Sequence, residues 1–250
     1  MAALDQATAA EELHLQFQKL SRLENGQVPG YHELEAMLKC YGASEVEQRA
    51  CHELRTFALK RGWWRAFGVP NTGFVTIEDV AHKVTDFHIG LIPPLLQVED
   101  YARALAMCAE PMLQDEAIET AVSIVTRRRQ RLTDDKPLIL HSLLSESSLN
   151  QGVDGGQIRH LITLAELENV TLQIVPEKIG LHPGLSGSMA LAEFPGDFYP
   201  DQAFTFSMFD MQVHSQDERV TQIRASLESI VKLAASPDET LAILRSWLTN

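Results

Sequence analysis

The side chains in this sequence that could do chemistry are scattered, not strung into a motif. His141, His160, His182 and His214 lie in the second half of the chain, together with Glu146 and Asp210. An imidazole beside a carboxylate moves protons near neutral pH. No spacing here forces such a pair, and the ordinary reading of each is a surface or hydrogen-bonded core residue. The adjacent Trp63 and Trp64 offer a stacking platform for an aromatic ligand, or a packing anchor between modules, the commoner use of large aromatics. Arg127, Arg128, Arg129 and Arg131 match phosphate oxygens in chemistry, but they also fit a solvated helix C-terminus, where cations meet the negative end of the dipole. There is no Gly-x-Ser-x-Gly elbow, no phosphate-cradling P-loop and no His-Glu-x-x-His pair, and Gly184-Leu185-Ser186-Gly187 reads as a turn. Cys40, Cys51 and Cys108 are too widely spaced for a zinc site or a disulfide framework and read as core thiols. No metal and no cofactor is expected.

Composition narrows the partners. The chain has 250 residues and a net charge of −13, which repels phosphate polyanions, so any DNA contact needs a local basic face. No segment approaches the roughly 20 apolar residues of a membrane helix. The start, Met-Ala-Ala-Leu-Asp-Gln, lacks the basic and apolar regions of a signal peptide. A cytoplasmic protein with no membrane partner is expected.

The elements that must position these residues fall into two groups. From Asp5 to Tyr41, apolar residues recur at helical spacing, with a stop at Glu24-Asn25-Gly26-Gln27 and then Pro29. A further helix is predicted from Ser44 to Lys60, with Ser44 and Glu47 as a capping box. Gly68 to Gly73 reads as a linker. Beyond it, helical patterns are predicted near Ile77 to Phe87 and Val98 to Met107, then from Asp115 to Leu132. Strands are predicted at Leu138 to Leu140, Val170 to Val175, Ser188 to Phe194 and Phe204 to Phe209, with a helix at Gln157 to Leu167 making a βαβ-like unit. Helices at Asp217 to Leu233 and after Ser236-Pro237-Asp238-Glu239 close the chain. The fold class is α+β, with a helical module over residues 1–62 and a larger mixed α/β domain with a small sheet over residues 63–250.

The string Lys19-Leu20-Ser21-Arg22-Leu23-Glu24-Asn25-Gly26, followed by Pro29 and Leu34 to Gly42, resembles the end of a Cro/Xre-like helix-turn-helix. Leu4 to Leu13 fits the first helix of that motif. The resemblance extends to one actinobacterial group of antitoxin-like regulators that carry a C-terminal domain of unknown function. Its landmarks are Arg61-Gly62-Trp63-Trp64, Ile92-Pro93-Pro94-Leu95-Leu96-Gln97 with Tyr101-Ala102-Arg103, Glu146, Leu164 to Thr171, Val175-Pro176, His182-Pro183-Gly184-Leu185 and Glu193-Phe194-Pro195. The resemblance implies a homodimer that binds DNA through Gln16, Phe17, Gln18, Lys19, Ser21 and Arg22. It also implies a larger domain that binds a small molecule or a small partner protein, with Trp63, Trp64, Gln97, Tyr101, Glu146 and His182 as candidates.

The departures from that group cluster in the DNA-binding motif. Members carry a helix ahead of the position of Leu4, so the motif reads as truncated. Its turn usually has Gly, where this chain has His14. Phe17 stands where a small polar donor is usual. Over residues 1–42, Asp5, Glu11, Glu12, Glu24, Glu33 and Glu35 outweigh Lys19, Arg22 and Lys39. In the larger domain, the usual Gly-Leu-Leu-Gln-Thr is Pro94-Leu95-Leu96-Gln97-Val98, and the loop from Asn150 to Gly156 is shortened, which would remodel any pocket it borders. Two functions are therefore expected as alternatives. One is a helix-turn-helix regulator with a ligand- or partner-sensing domain. The other is a repurposed relative that has lost DNA binding, serving as a binding protein or a cofactor-free isomerase or cyclase in a small-molecule biosynthetic pathway.

Overall fold

The computed structural model describes residues 4–59, 62–68, 73–109, 113–194, 199–207 and 210–249. They form two compact units, Met1–Trp63 and Trp64–Asn250. No described helix is long and apolar enough to cross a membrane.

The first unit is helical. Asp5 caps α1 (Gln6–Glu12) by accepting the Thr8 N–H at 2.8 Å. The chain reverses at His14, whose φ of 52° makes it the one described non-glycine residue in the left-handed region, and enters α2 (Phe17–Glu24). This is where the family resemblance placed a glycine, and histidine is among the side chains that tolerate the conformation best. α2 stops as its sequence demands: Asn25 donates its side-chain N–H to the Ser21 carbonyl at 2.7 Å, and Gly26 takes a φ of 103°. α3 (Tyr31–Cys40) and α4 (Glu45–Leu59) follow. The capping box at the start of α4 is formed, with the Ser44 N–H on Glu47 at 2.6 Å and the Glu47 N–H on the Ser44 hydroxyl at 3.3 Å. The core is small. Ala9 and Ala10 on α1 leave room for Leu20 and Leu23 on α2, and Met37 of α3 completes the cluster.

The second unit is built on a six-stranded sheet ordered β3-β2-β1-β4-β5-β6. β1 (Lys83–His88), β2 (Ile139–Ser145) and β3 (Val170–Val175) run parallel, with α8 (Gly155–Ala165) crossing between β2 and β3 as the predicted βαβ unit. β4 (Ser188–Glu193), β5 (Gln202–Phe206) and β6 (Met211–His214) add antiparallel on the other side of β1. α9 (Asp217–Leu233) and α10 (Pro237–Trp247) close the chain where the sequence placed them. The sheet is covered on both faces. Val84, Leu140, Leu172 and Phe204 pack with Leu161 of α8 and Leu244 of α10; Phe87, Leu143 and Leu191 pack with Ile223, Leu227 and Ile230 of α9. The result is a mixed α+β architecture.

Two expectations are corrected. The helical pattern near Ile77 to Phe87 is instead a short helix, α5 (Phe74–Glu78), followed by the central strand β1. Ile77 of α5 and Val80 of the turn after it start an apolar series that Val84 and Phe87 continue at helical spacing, because both faces of β1 are buried and these two lie on opposite sides of the sheet. The arginine run ending α7 (Asp115–Arg129) and the following turn is not a solvated helix end. Arg128 grips buried Glu78 with two bonds of 2.8 Å, Arg129 donates to the Gln97 carbonyl at 2.8 Å, and Arg131 donates to the Lys136 and Ala81 carbonyls at 2.9 and 3.2 Å.

Candidate functional site

Strand order reverses direction at β1: β2 and β3 extend the sheet on one side, and β4 to β6 on the other. In open α/β sheets, such a switch point, at the carboxyl ends of the strands, is where connections diverge and leave a crevice. Here one neighbour, β4, is antiparallel, so its first residues sit beside the last residues of β1. A cavity of about 530 Å³ opens at that place, within the usual range of small-molecule sites.

Its walls follow from the chain after β1. The chain bends at Gly90, and Ile92-Pro93-Pro94-Leu95 forms an apolar wall ending in a 3-10 turn. This wall is pinned from behind. The Gln97 side chain donates to the Ile92 carbonyl at 2.6 Å, and the Ile92 N–H donates to the Tyr101 hydroxyl at 3.3 Å. Gln157 of α8 grips the same turn, donating to the Leu96 carbonyl at 2.7 Å and accepting from the Val98 N–H at 2.9 Å. Phe74 of α5 and Phe206 of β5 line another side, with ring centroids 5.4 Å apart.

Among the described residues, four ionisable side chains reach this cavity: Glu78, Asp86, His88 and Arg128. Glu78 and Arg128 form the paired, largely buried contact already described, with the guanidinium 5.9 Å from the Phe74 ring centroid. Asp86 and His88 point to the same face of β1, as alternate strand residues must. Asp86 accepts the Ser142 hydroxyl at 2.6 Å across the β1–β2 register, and His88 Nε2 lies 3.6 Å from its other oxygen. The His88 ring lies 6.0 Å from Phe206 at a tilt of 30°. Chemically, the cavity offers an imidazole–carboxylate pair beside aromatic and aliphatic walls.

Residues 72–246 match the family described as a domain of unknown function, DUF5753. The chain belongs to the DUF5753 family. That domain commonly follows a helix-turn-helix domain. Neither a curated protein nor a solved structure matches the chain.

The cavity lies wholly inside the DUF5753 segment. Of the ligand candidates read from the sequence, Gln97 lines it and Tyr101 supports its wall. The other four lie elsewhere. Glu146 accepts the Glu177 N–H at 3.1 Å. His182 stacks edge-on against Phe87, 5.7 Å away, on the α9 face of the sheet. The glycine of its His-Pro-Gly-Leu landmark is explained by packing: a Cβ on Gly184 would come within 2.4 Å of the Phe87 ring. Trp63 and Trp64 stand in a 3-10 turn, Trp64 buried, and neither borders the cavity. The loop from Asn150 to Gly156 does not border it either; Asp154 there caps α8. His141 bonds Gln173 at 2.7 Å and His214 bonds Thr205 at 3.0 Å. Burial, then the charge of Arg129, pushes the His160 imidazole below its ordinary value. Among the described residues, none of these histidines meets Glu146 or Asp210, and no metal-binding cluster occurs.

In the first unit, α2 presents Gln16, Phe17, Gln18 and Arg22 to solvent, Phe17 being 53% exposed. Ser21 and Lys19 are half-buried, and the Lys19 ammonium is paired with Glu33. Sequence reasoning missed Asp86 and His88 because they fall in the strand read as helix. The available signal was the short run of β-branched and aromatic residues Val84, Thr85 and Phe87, closed by Gly90 and Pro93-Pro94.

Proposed function

We propose that this protein is a helix-turn-helix regulator-like protein whose DUF5753 domain binds a small molecule in the cavity at the end of β1. The observation that carries the reading is a cavity of about 530 Å³ whose apolar walls surround a few convergent polar groups, the usual constitution of a ligand site. The α1–turn–α2 segment, with a left-handed residue in its turn and an exposed first turn on α2, supports the DNA-contacting role that its sequence resemblance implies. A homodimer would offer two copies of α2 to the half-sites of a palindrome.

The test is a gel-shift titration of the full chain on duplex DNA flanking its own gene, at low and moderate salt. A sequence-specific shift that salt weakens, and that Arg22→Ala reduces, is the expected result. Absence of a shift even at low salt overturns DNA binding.

The ion pair between Lys19 and Glu33 favours a second reading, since it neutralises one of the few cations on this segment. In that reading the protein does not bind DNA and works through the DUF5753 domain, as a receptor for a small molecule or a small partner protein, or as a cofactor-free isomerase or cyclase using His88 and Asp86 for proton transfer. No gel shift, together with ligand binding in the cavity, selects it.

A further inference from the structure

The ionisable groups around the cavity are unequally satisfied. Both nitrogens that Arg128 commits to Glu78 lie 2.8 Å from its two carboxylate oxygens, so that pair is closed. Asp86 is not. Its side chain is only 4% exposed, and one oxygen accepts the Ser142 hydroxyl at 2.6 Å. The nearest donor to its second oxygen is His88 Nε2 at 3.6 Å, beyond hydrogen-bonding length. A protonated His88 would offset the charge of Asp86 yet leave that oxygen without a short donor. That oxygen belongs to a residue that lines the cavity, so a donor brought by a ligand can meet it there with a charge-assisted hydrogen bond.

Beside it stand the π faces of Phe74 and Phe206, which attract cations. We infer that the cavity recognises a small organic amine: one protonated amino group directed at Asp86, on an aromatic or aliphatic body seated against Phe206 and the Ile92–Leu95 wall. This rests on the cavity being the ligand site. An anionic ligand meets the reverse situation, because Asp86 repels it and the charge of Arg128, the one arginine among the described lining residues, is offset by Glu78.

Calorimetric titration of the full chain near pH 7 with three probes of one size and different charge tests this: 2-phenylethylamine, 2-phenylethanol and phenylacetate. The amine should bind at least tenfold more tightly than the alcohol, with phenylacetate weakest. Asp86→Asn keeps an acceptor for Ser142 and should erase the amine's advantage without weakening the alcohol. Should that variant fail to fold, Phe74→Leu serves in its place: it removes a π face set beside the ammonium and leaves the seat of the probe's body on Phe206, so a selective loss of amine affinity is expected. Leu91→Trp, at the rim of the cavity, should abolish binding of every probe. If the alcohol or phenylacetate binds as tightly as the amine and Leu91→Trp blocks it, the amine assignment falls while the cavity stands as the ligand site. If no probe binds at millimolar concentration, or Leu91→Trp changes nothing, both fall.

Discussion

The two units bury their apolar residues in different ways. The helical unit rests on one cluster of five buried side chains drawn from three short helices, each too short to persist alone in water, and α4 buries none of its described side chains fully. It depends on local devices: the Asp5 cap, the His14 turn, the Asn25-Gly26 stop and the Ser44–Glu47 box. The DUF5753 unit buries separate cores on the two faces of one sheet, so the central strand that carries Asp86 and His88 is held from both sides. The DNA-contacting surface proposed for the first unit would sit on a lightly buried scaffold. The proposed ligand cavity, which would have to hold Asp86 in place, sits on the second kind.

The largest effects should separate the two units. Phe204→Ala, in the larger core, is expected to cost about 3–5 kcal/mol, and Leu20→Ala, at the centre of the smaller one, about 2–5 kcal/mol. Amide exchange should show Leu20→Ala stripping protection from α1 to α3 while β1 to β4 keep theirs, with the reverse for Phe204→Ala. Loss of protection throughout both units in either variant would mean that they unfold as one block.

Breaking the buried pair comes next. Arg128→Met leaves Glu78 buried without its partner and should lower stability to denaturant by roughly 3–5 kcal/mol, most of it recovered in Arg128→Met with Glu78→Met. Simple addition of the two single losses would disprove the coupling.

A smaller effect is expected on acidification. Burial acts to raise the Glu193 carboxyl, but its bonds with Lys83 and Arg224 win and hold it below the usual 4.5. Because the folded state favours the charged form, this contribution to stability is complete above that ordinary value and disappears as pH falls through and below it. Melting curves from pH 7 to pH 3 should fall less steeply for Glu193→Gln than for the unaltered chain, and parallel curves would contradict the assignment. The smallest effect is a gain: His14→Gly should stabilise the helical unit by about 0.5–1 kcal/mol, relief at a positive φ outweighing the added chain entropy. Destabilisation would show that the His14 side chain makes a contact worth more than its strain.

Local chemistry was legible in the sequence wherever neighbouring residues decide the outcome. The stop at Asn25-Gly26, the box at Ser44 and Glu47, the cap at Ser236 with Glu239, and the β2–α8–β3 unit each depend on side chains within a few positions or on a single periodicity. β1 was not legible: burial on both faces erased the alternation that marks a strand. With β1 went Asp86 and His88. Their partners, Ser142 and Phe206, lie 56 and 118 positions from them, at distances along the chain that no local pattern reports. Gln97 and Tyr101 stood out through their place in an ordered series of landmarks, although their work, pinning the loop after β1, appears only when α6 (Glu99–Ala109) and α8 are folded against it.

The sequence by itself thus determined the helical unit, the α+β class and the location of turns and caps, because those follow from short-range sterics and hydrogen bonding. Tertiary structure alone decided that Arg128 is spent on Glu78, that His182 serves packing against Phe87, and that Asp86 meets the cavity with one oxygen unmatched. Each of those outcomes depends on which distant group arrives to share a buried charge or fill a space, and only the assembled sheet brings those groups together.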